Sequence, residues 1–154
     1  MPLIHLTTII SAPILVVFDL SRSIDFHQNS VSKTREKAIA GRTSGLIKLN
    51  ETVTWSAVHF GVRQQLTTII TEMDSPTYFV DEMVKGAFKS IRHEHYFSFE
   101  DEKTTMVDQF YFESPFGILG KLVNLIILKK YMTYFLQERN KAIKLAAEKQ
   151  EKTV

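Results

Sequence analysis

The chain has 154 residues, no cysteine, a formal net charge of +2, 44% hydrophobic and 23% charged residues. A chain of this size can bury a core without covalent staples, its composition excludes bulk disorder, and the missing cysteines exclude a disulfide framework and thiolate chemistry and fit a cytoplasmic location. Basic residues alternate with acidic ones, which excludes a nucleic-acid footprint.

Residues 2–10, rich in Ile, Leu and Thr, read as a first strand. The apolar start up to Leu20 has no positively charged leader and is interrupted by Pro13 and Asp19, which argues against a signal peptide. Pro13 opens a short helix with Val16, Val17 and Leu20 on its buried face. Ser21 or Ser23 caps a second one that carries Ile24, Phe26 and His27 and ends near Asn29. Strands then dominate. Residues 33–39 are charged enough for a sheet edge; after a turn at Gly41 and Gly45, 46–50 and 51–60 continue extended, and a Phe60-Gly61-Val62 hairpin leads to 64–71. Asp74-Ser75-Pro76 and Lys85-Gly86-Ala87 are turns on either side of a strand at 77–84. Strands at 90–99 and 104–113 flank a charged tip at 100–103.

From Pro115 to Lys149 the pattern becomes that of one long helix, with no proline or glycine after Gly120. Its first half, 119–128, is apolar on nearly every side. Its second half narrows to a stripe of Leu128, Tyr131, Met132, Phe135, Arg139, Ile143 and Ala146. The apolar run at 116–128 is broken by Lys121 and falls short of the roughly 20 residues a membrane span needs. The tail from about 148 is expected to fray. Hairpin-linked strands between short helices and a long final helix predict an α+β fold with an antiparallel sheet, whose apolar face the helix must cross.

Several stretches carry a more specific likeness. Trp55-Ser56-Ala57-Val58-His59-Phe60-Gly61, Arg92-His93-Glu94-His95, Ser114-Pro115-Phe116-Gly117-Ile118-Leu119-Gly120 and Glu138-Arg139-Asn140 resemble the SRPBCC (START-like) superfamily. Within it they are most similar to bacterial polyketide-cyclase and coenzyme-Q-binding-like proteins, from about Leu3 to Ala147 and in the expected order. The resemblance implies a helix-grip fold in a single domain over 1–154. In that fold a curved antiparallel sheet of about seven strands grips the C-terminal helix around an apolar cavity, with two short helices after the first strand. It does not imply a metal, and one fold hosts many activities.

Strand alternation assigns faces. Ile91, His93, His95, Phe97 and Phe99 share one face of their strand, as do Met106, Asp108, Phe110 and Phe112 on the last. Val53, Trp55, Ala57 and His59 form a third set, and Leu66, Thr68 and Ile70 a fourth. The expected ligand-binding surface is Trp55, His59, Leu66, Ile70, His93, His95, Phe97, Asp108 and Phe110 from the sheet, with Leu122 and Ile126 from the helix. Its ionisable members must contact one another or a ligand, because a buried unpaired charge costs several kcal/mol. His93 and His95 can be core histidines satisfied by Asp108, ligand contacts, or metal ligands with His59 as a third. Arg139 either snorkels or pairs with an acid across the groove. The lysines at 129, 130, 141, 144 and 149 read as a solvated face, with an anionic-lipid surface as the alternative.

Three functions fit. The first is non-catalytic binding of a hydrophobic small molecule (a lipid, isoprenoid, quinone or polyketide-like compound) as carrier or sensor. The second is a cyclase or dehydratase type enzyme with His93 or His95 as general base and Asp108 orienting it. The third is an interaction module with a vestigial cavity, in which the apolar helix face mediates association. No nucleophile, metal signature or phosphate loop accompanies the His-Asp set, so no cofactor is expected. Peripheral membrane contact and homodimer formation are both compatible with the sequence.

Overall fold

The computed structural model describes residues 2–30, 34–115 and 124–153. Seven strands form one sheet: β1 (Leu3–Ile10), β2 (Lys37–Gly41), β3 (Thr52–His59), β4 (Val62–Asp74), β5 (Tyr78–Lys85), β6 (Ser90–Glu100) and β7 (Lys103–Glu113). Their order is β1-β7-β6-β5-β4-β3-β2, and every pairing is antiparallel. Strands β2 to β7 pair with their sequence neighbours, as short connections require. β1 completes the sheet by pairing with β7, from Leu3 opposite Tyr111 to Ile10 opposite Thr104. Helices α1 (Ile14–Arg22) and α2 (Ile24–Ser30) follow β1, and a π-helical turn (Asn124–Leu128) runs into the long α3 (Lys129–Lys152). This is the helix-grip arrangement. The predicted start of the long helix, including Gly117, Gly120 and Leu122, lies outside the described residues.

Alternation decides which side of the sheet meets the helix. On β7, Thr104, Met106, Asp108, Phe110 and Phe112 are buried while the residues between them are half-exposed. On β6, Ile91, His93, His95 and Phe97 are buried in the same rhythm, while Phe99, expected on the same inward face, is exposed near the end of the strand. Register shifts between Thr67 and Thr68 and between Ile70 and Glu72 mark bulges in β4, the means by which a strand bends. The core under α1 is built around Phe18, fully buried, with its ring edge-on to Phe79 and Phe97 at 5.5 and 5.3 Å.

Three local expectations differ from the structure. The strand expected at 33–39 starts only at Lys37, because Glu36 turns inward to His27 and the Ala38 amide is taken by the Gln28 side chain at 3.0 Å. Residues 46–50 do not form a strand; they pack on the α1–α2 junction, with Ile24 N–H donating to Gly45 O and Ile47 N–H to Arg22 O. The buried face of α1 is Val17, Phe18 and Ser21, with Val16 and Leu20 at its margin.

Helix α3 packs on β1, α1 and α2 through Leu136, Arg139, Asn140, Ile143 and Ala147, spaced at the three and four residue steps of one helical face. It runs to Lys152. Glu148 accepts a hydrogen bond of 3.0 Å from Ser11 N–H, and Lys144 donates to Ile9 O at 2.8 Å, so both side chains fasten the helix to the end of β1. Among the described residues no helix is long and apolar enough to cross a membrane. Ile143 is 1% exposed and Leu145, two positions on, is 68% exposed. Ile143→Ala should therefore cost about 2–5 kcal/mol and Leu145→Ala less than about 0.5 kcal/mol, as read from urea unfolding midpoints.

Candidate functional site

Between the sheet, α3 and the α1–α2 pair lies a cavity of about 410 Å³. Most of its wall is aliphatic and aromatic, with Ile24, Ile47, Val53, Leu66 and Ile70 on one side and Met132, Phe135 and Leu136 of α3 on the other. Besides Arg22, Ser23, Gln64, Gln65 and Thr68, polar side chains in contact with one another form three groups along it.

The first is a buried cluster at the junction of β5, β6, β7 and α3. Asp108, with no exposed surface, is its hub. Its Oδ1 lies 2.9 Å from His93 Nε2, and its Oδ2 accepts a 2.7 Å hydrogen bond from Asn140 Nδ2 on α3. His95 Nδ1 lies 3.1 Å from the same Oδ1 but off the axis of a hydrogen bond, so that attraction is ionic. On its other edge, His95 Nε2 is 2.9 Å from Asp81 Oδ2. Arg139 donates through Nη2 to Ser21 O at 3.0 Å and holds Nη1 3.9 Å from Asp108 Oδ1. The arginine in the apolar stripe therefore both ties α3 to α1 and faces an acid across the groove.

Burial opposes every charge in this cluster, and the partners decide which charges survive. It would lower the His95 pKa, but carboxylates on both sides raise it instead. His93, buried and repelled by His95, is pushed down to about 4 despite its Asp108 contact. Burial would also raise Asp81 and Asp108, yet the imidazoles lower both, Asp108 well below the usual carboxylate range. The shifts thus favour the charged form of His95 and the neutral form of His93. Donation of Nε2–H to Asp108 leaves the His93 lone pair on Nδ1.

The second group is Glu36, His27 and Trp55. His27 Nε2 is 3.1 Å from Glu36 Oε1, and the His27 ring lies 4.5 Å from that of Trp55. Burial opposes the Glu36 charge, but His27 keeps its pKa below the ordinary value; Glu36 Oε2 is buried without a hydrogen-bond partner. The third is His59, whose Nδ1 lies 2.6 Å from the Tyr131 hydroxyl on α3, with Phe135 edge-on and Phe60 tilted over Tyr131. Burial lowers the His59 pKa.

Of the residues expected from the sequence, Trp55, His59, Leu66, Ile70, His93, His95 and Phe110 line the cavity. Asp108 and Phe97 stand behind its wall, Asp108 beneath the two imidazoles and Phe97 in the aromatic core. Ile126 does not line it. It is 65% exposed and shares the outer side of the helix with Lys129, Lys130 and Tyr134, while Leu128, Met132 and Phe135 turn inward. Leu122 lies outside the described residues. His59 does not join His93 and His95; Asp81 does, with Asp81, His93 and His95 offering ligand atoms all within 4.8 Å of one another. Asp81, Glu36, Asn140 and Tyr131 were not anticipated. Alternation from Phe79 would have turned Asp81 inward, but Val80 is fully buried too, so β5 has no plainly polar face to give the direction.

No family model matches the sequence, and no curated protein matches it. Solved structures do match. A protein from Thermus thermophilus aligns at 18% identity over 95% of this chain and 99% of its own, with a TM-score of 0.73. A START superfamily protein from Mycobacterium smegmatis aligns at 12% identity over 96% and 98%, also with a TM-score of 0.73. A major latex-like protein from Panax ginseng aligns at 16% identity over 95% and 97%, with a TM-score of 0.70. At these identities the likeness is one of fold, and the fold of this chain is the START-like helix-grip.

The two imidazole shifts set opposite limits on stability. His93 has a folded pKa below its unfolded one, so the unfolded chain binds the extra proton as pH falls from about 6.5 to about 4, and stability drops by up to about 1.4 kcal/mol per pH unit there. His95 has the raised value, so its contribution is complete below about 6.5 and is lost as pH rises through the folded pKa. Urea midpoints measured across this range should pass through a maximum, and His93→Gln should flatten the acid limb.

Proposed function

We propose that the protein is a non-catalytic carrier or sensor that binds a hydrophobic small molecule, of lipid, isoprenoid, quinone or polyketide-like class, between the sheet and α3. The observation that carries this reading is the cavity of about 410 Å³, apolar over most of its wall. Such a volume lies within the range of small-molecule sites, and sparse polar groups in an apolar pocket orient a ligand rather than drive its entry. Covering about 300 Å² of apolar ligand surface contributes roughly 7 kcal/mol, from which the cost of immobilising the ligand is subtracted.

A polar end of the ligand is best received at the Asp81–His93–His95–Arg139 end, where donors and acceptors are both at hand. The cyclase or dehydratase alternative draws on one feature, the neutral His93 held by Asp108 with its second nitrogen unpaired among the described residues. A base with a pKa near 4 is weak, which favours binding over proton abstraction.

Native mass spectrometry of the purified protein, followed by extraction, would identify a co-purifying compound. Binding is tested independently with anilinonaphthalene sulfonate as an apolar probe. Saturable binding should weaken by about tenfold or more in Leu66→Trp, whose indole occupies the cavity, a loss of about 1.4 kcal/mol. Ile126→Trp, on the outer face, should leave the affinity unchanged. Equal affinity in folded Leu66→Trp and wild type would count decisively against the proposal.

A further inference from the structure

We infer that Asp81, His93 and His95 form a binding site for a divalent transition-metal ion of the zinc class, open toward the cavity. This goes beyond the ligand-binding reading, because the site is built from its own ligand set and can be occupied whatever the cavity holds. Three observations carry it.

The first is the donor set. His93 and His95 stand two residues apart on β6 and so share a face, while Asp81 on β5 is the register partner of His93. The three side chains offer ligand atoms all within 4.8 Å of one another, near the separation of about 3.4 Å between atoms that each lie about 2.1 Å from one tetrahedral zinc ion. Two imidazoles and one carboxylate with open positions is a set that zinc and iron(II) both accept.

The second is that the support for these ligands is already in place. Imidazoles that bind a metal through one nitrogen hold the other against a carboxylate, which fixes the ring and raises its basicity. Asp108 Oδ1 takes this role for His93, 2.9 Å from its Nε2, and faces His95 Nδ1 at 3.1 Å in an ionic contact. Asn140 holds the other oxygen of that carboxylate at 2.7 Å. The nitrogens left for a metal are His93 Nδ1, which has no hydrogen-bond partner among the described residues, and His95 Nε2, which already points at Asp81 Oδ2.

The third is charge and access. The carboxylates of Asp81 and Asp108 face the two imidazoles, with Arg139 as a fixed cation nearby, and a divalent ion takes the place of the proton that these carboxylates favour on His95. All three ligands line the cavity, so the remaining coordination positions face whatever enters it. An oxygen of a hydroxyl, carbonyl or carboxylate on the ligand would complete the shell.

The test uses the full chain, stripped with a chelator and titrated with Co²⁺ and Zn²⁺. Expected are visible cobalt absorption bands that saturate at one ion per chain and are displaced by Zn²⁺, with one zinc per chain by elemental analysis. Asp81→Asn and His93→Gln should each weaken Zn²⁺ binding by about a hundredfold or more, and the supporting change Asp108→Asn by about 10–100-fold. Imidazole-detected NMR of the wild type covers the case in which a variant fails to fold. Zn²⁺ should shift the His93 and His95 signals and leave those of His5, His27 and His59 in place. Absence of cobalt bands, equal Zn²⁺ affinity in folded Asp81→Asn and His93→Gln, or shifts at other histidines would each overturn the inference. Binding of anilinonaphthalene sulfonate to the metal-free protein is read separately. Its loss with metal binding intact removes the ligand-binding reading alone, and its persistence without metal binding removes the metal site alone.

Discussion

The rest of the structure depends on the buried charge of Asp108, a carboxylate with no exposed surface that would cost several kcal/mol if left uncompensated. Its compensation comes from His93 and His95 on the neighbouring strand, from Asn140 on α3, and at longer range from Arg139. Satisfying that charge therefore fixes the distance and rotation of the long helix over the sheet. Hydrophobic contacts at Leu136, Ile143 and Ala147 hold the helix down, but such contacts are non-directional and would tolerate sliding. The hydrogen bond from Asn140 would not.

The cavity follows from the same constraint. Where α3 meets β1 and α1, the interface is closely filled by Phe18, Met106, Ile143 and Ala147. Further toward its N-terminus, the helix instead presents Tyr131, Met132 and Phe135 to a bent region of the sheet, and the space between stays open. The polar cluster sits at the boundary between filled and open interior. It is both the fastening of the helix and the most reactive part of the cavity wall, so structural and functional demands meet on the same side chains. A substitution there changes stability and binding together, and the two must be measured apart.

Much of this was legible from the sequence because side-chain alternation is local. The faces of β3, β4, β6 and β7 follow from a period of two, and that alone turned Trp55, His59, Leu66, Ile70, His93, His95 and Phe110 toward the cavity. The helix was harder. Ile126 looked inward because its stretch is apolar on nearly every side, and a face cannot be read from a pattern without contrast. The segment at 46–50 misled for a related reason. Its extended propensity was outweighed by hydrogen bonds to the α1–α2 junction, which no local window contains.

The sequence by itself determined an α+β fold with an antiparallel sheet, the hairpin order of the strands and the inward faces of four of them, because these rest on periodicity and turn chemistry within a few residues; the START-like class came from the motifs that resemble that superfamily. Only the tertiary structure decided which polar groups meet. Asp81 reaches His95 through the register of β5 on β6, Asn140 reaches Asp108 across the interior, and His59 finds Tyr131 rather than the other histidines. Those pairings join residues far apart in the chain, and their geometry is set by packing and by the cost of leaving a buried charge unpaired.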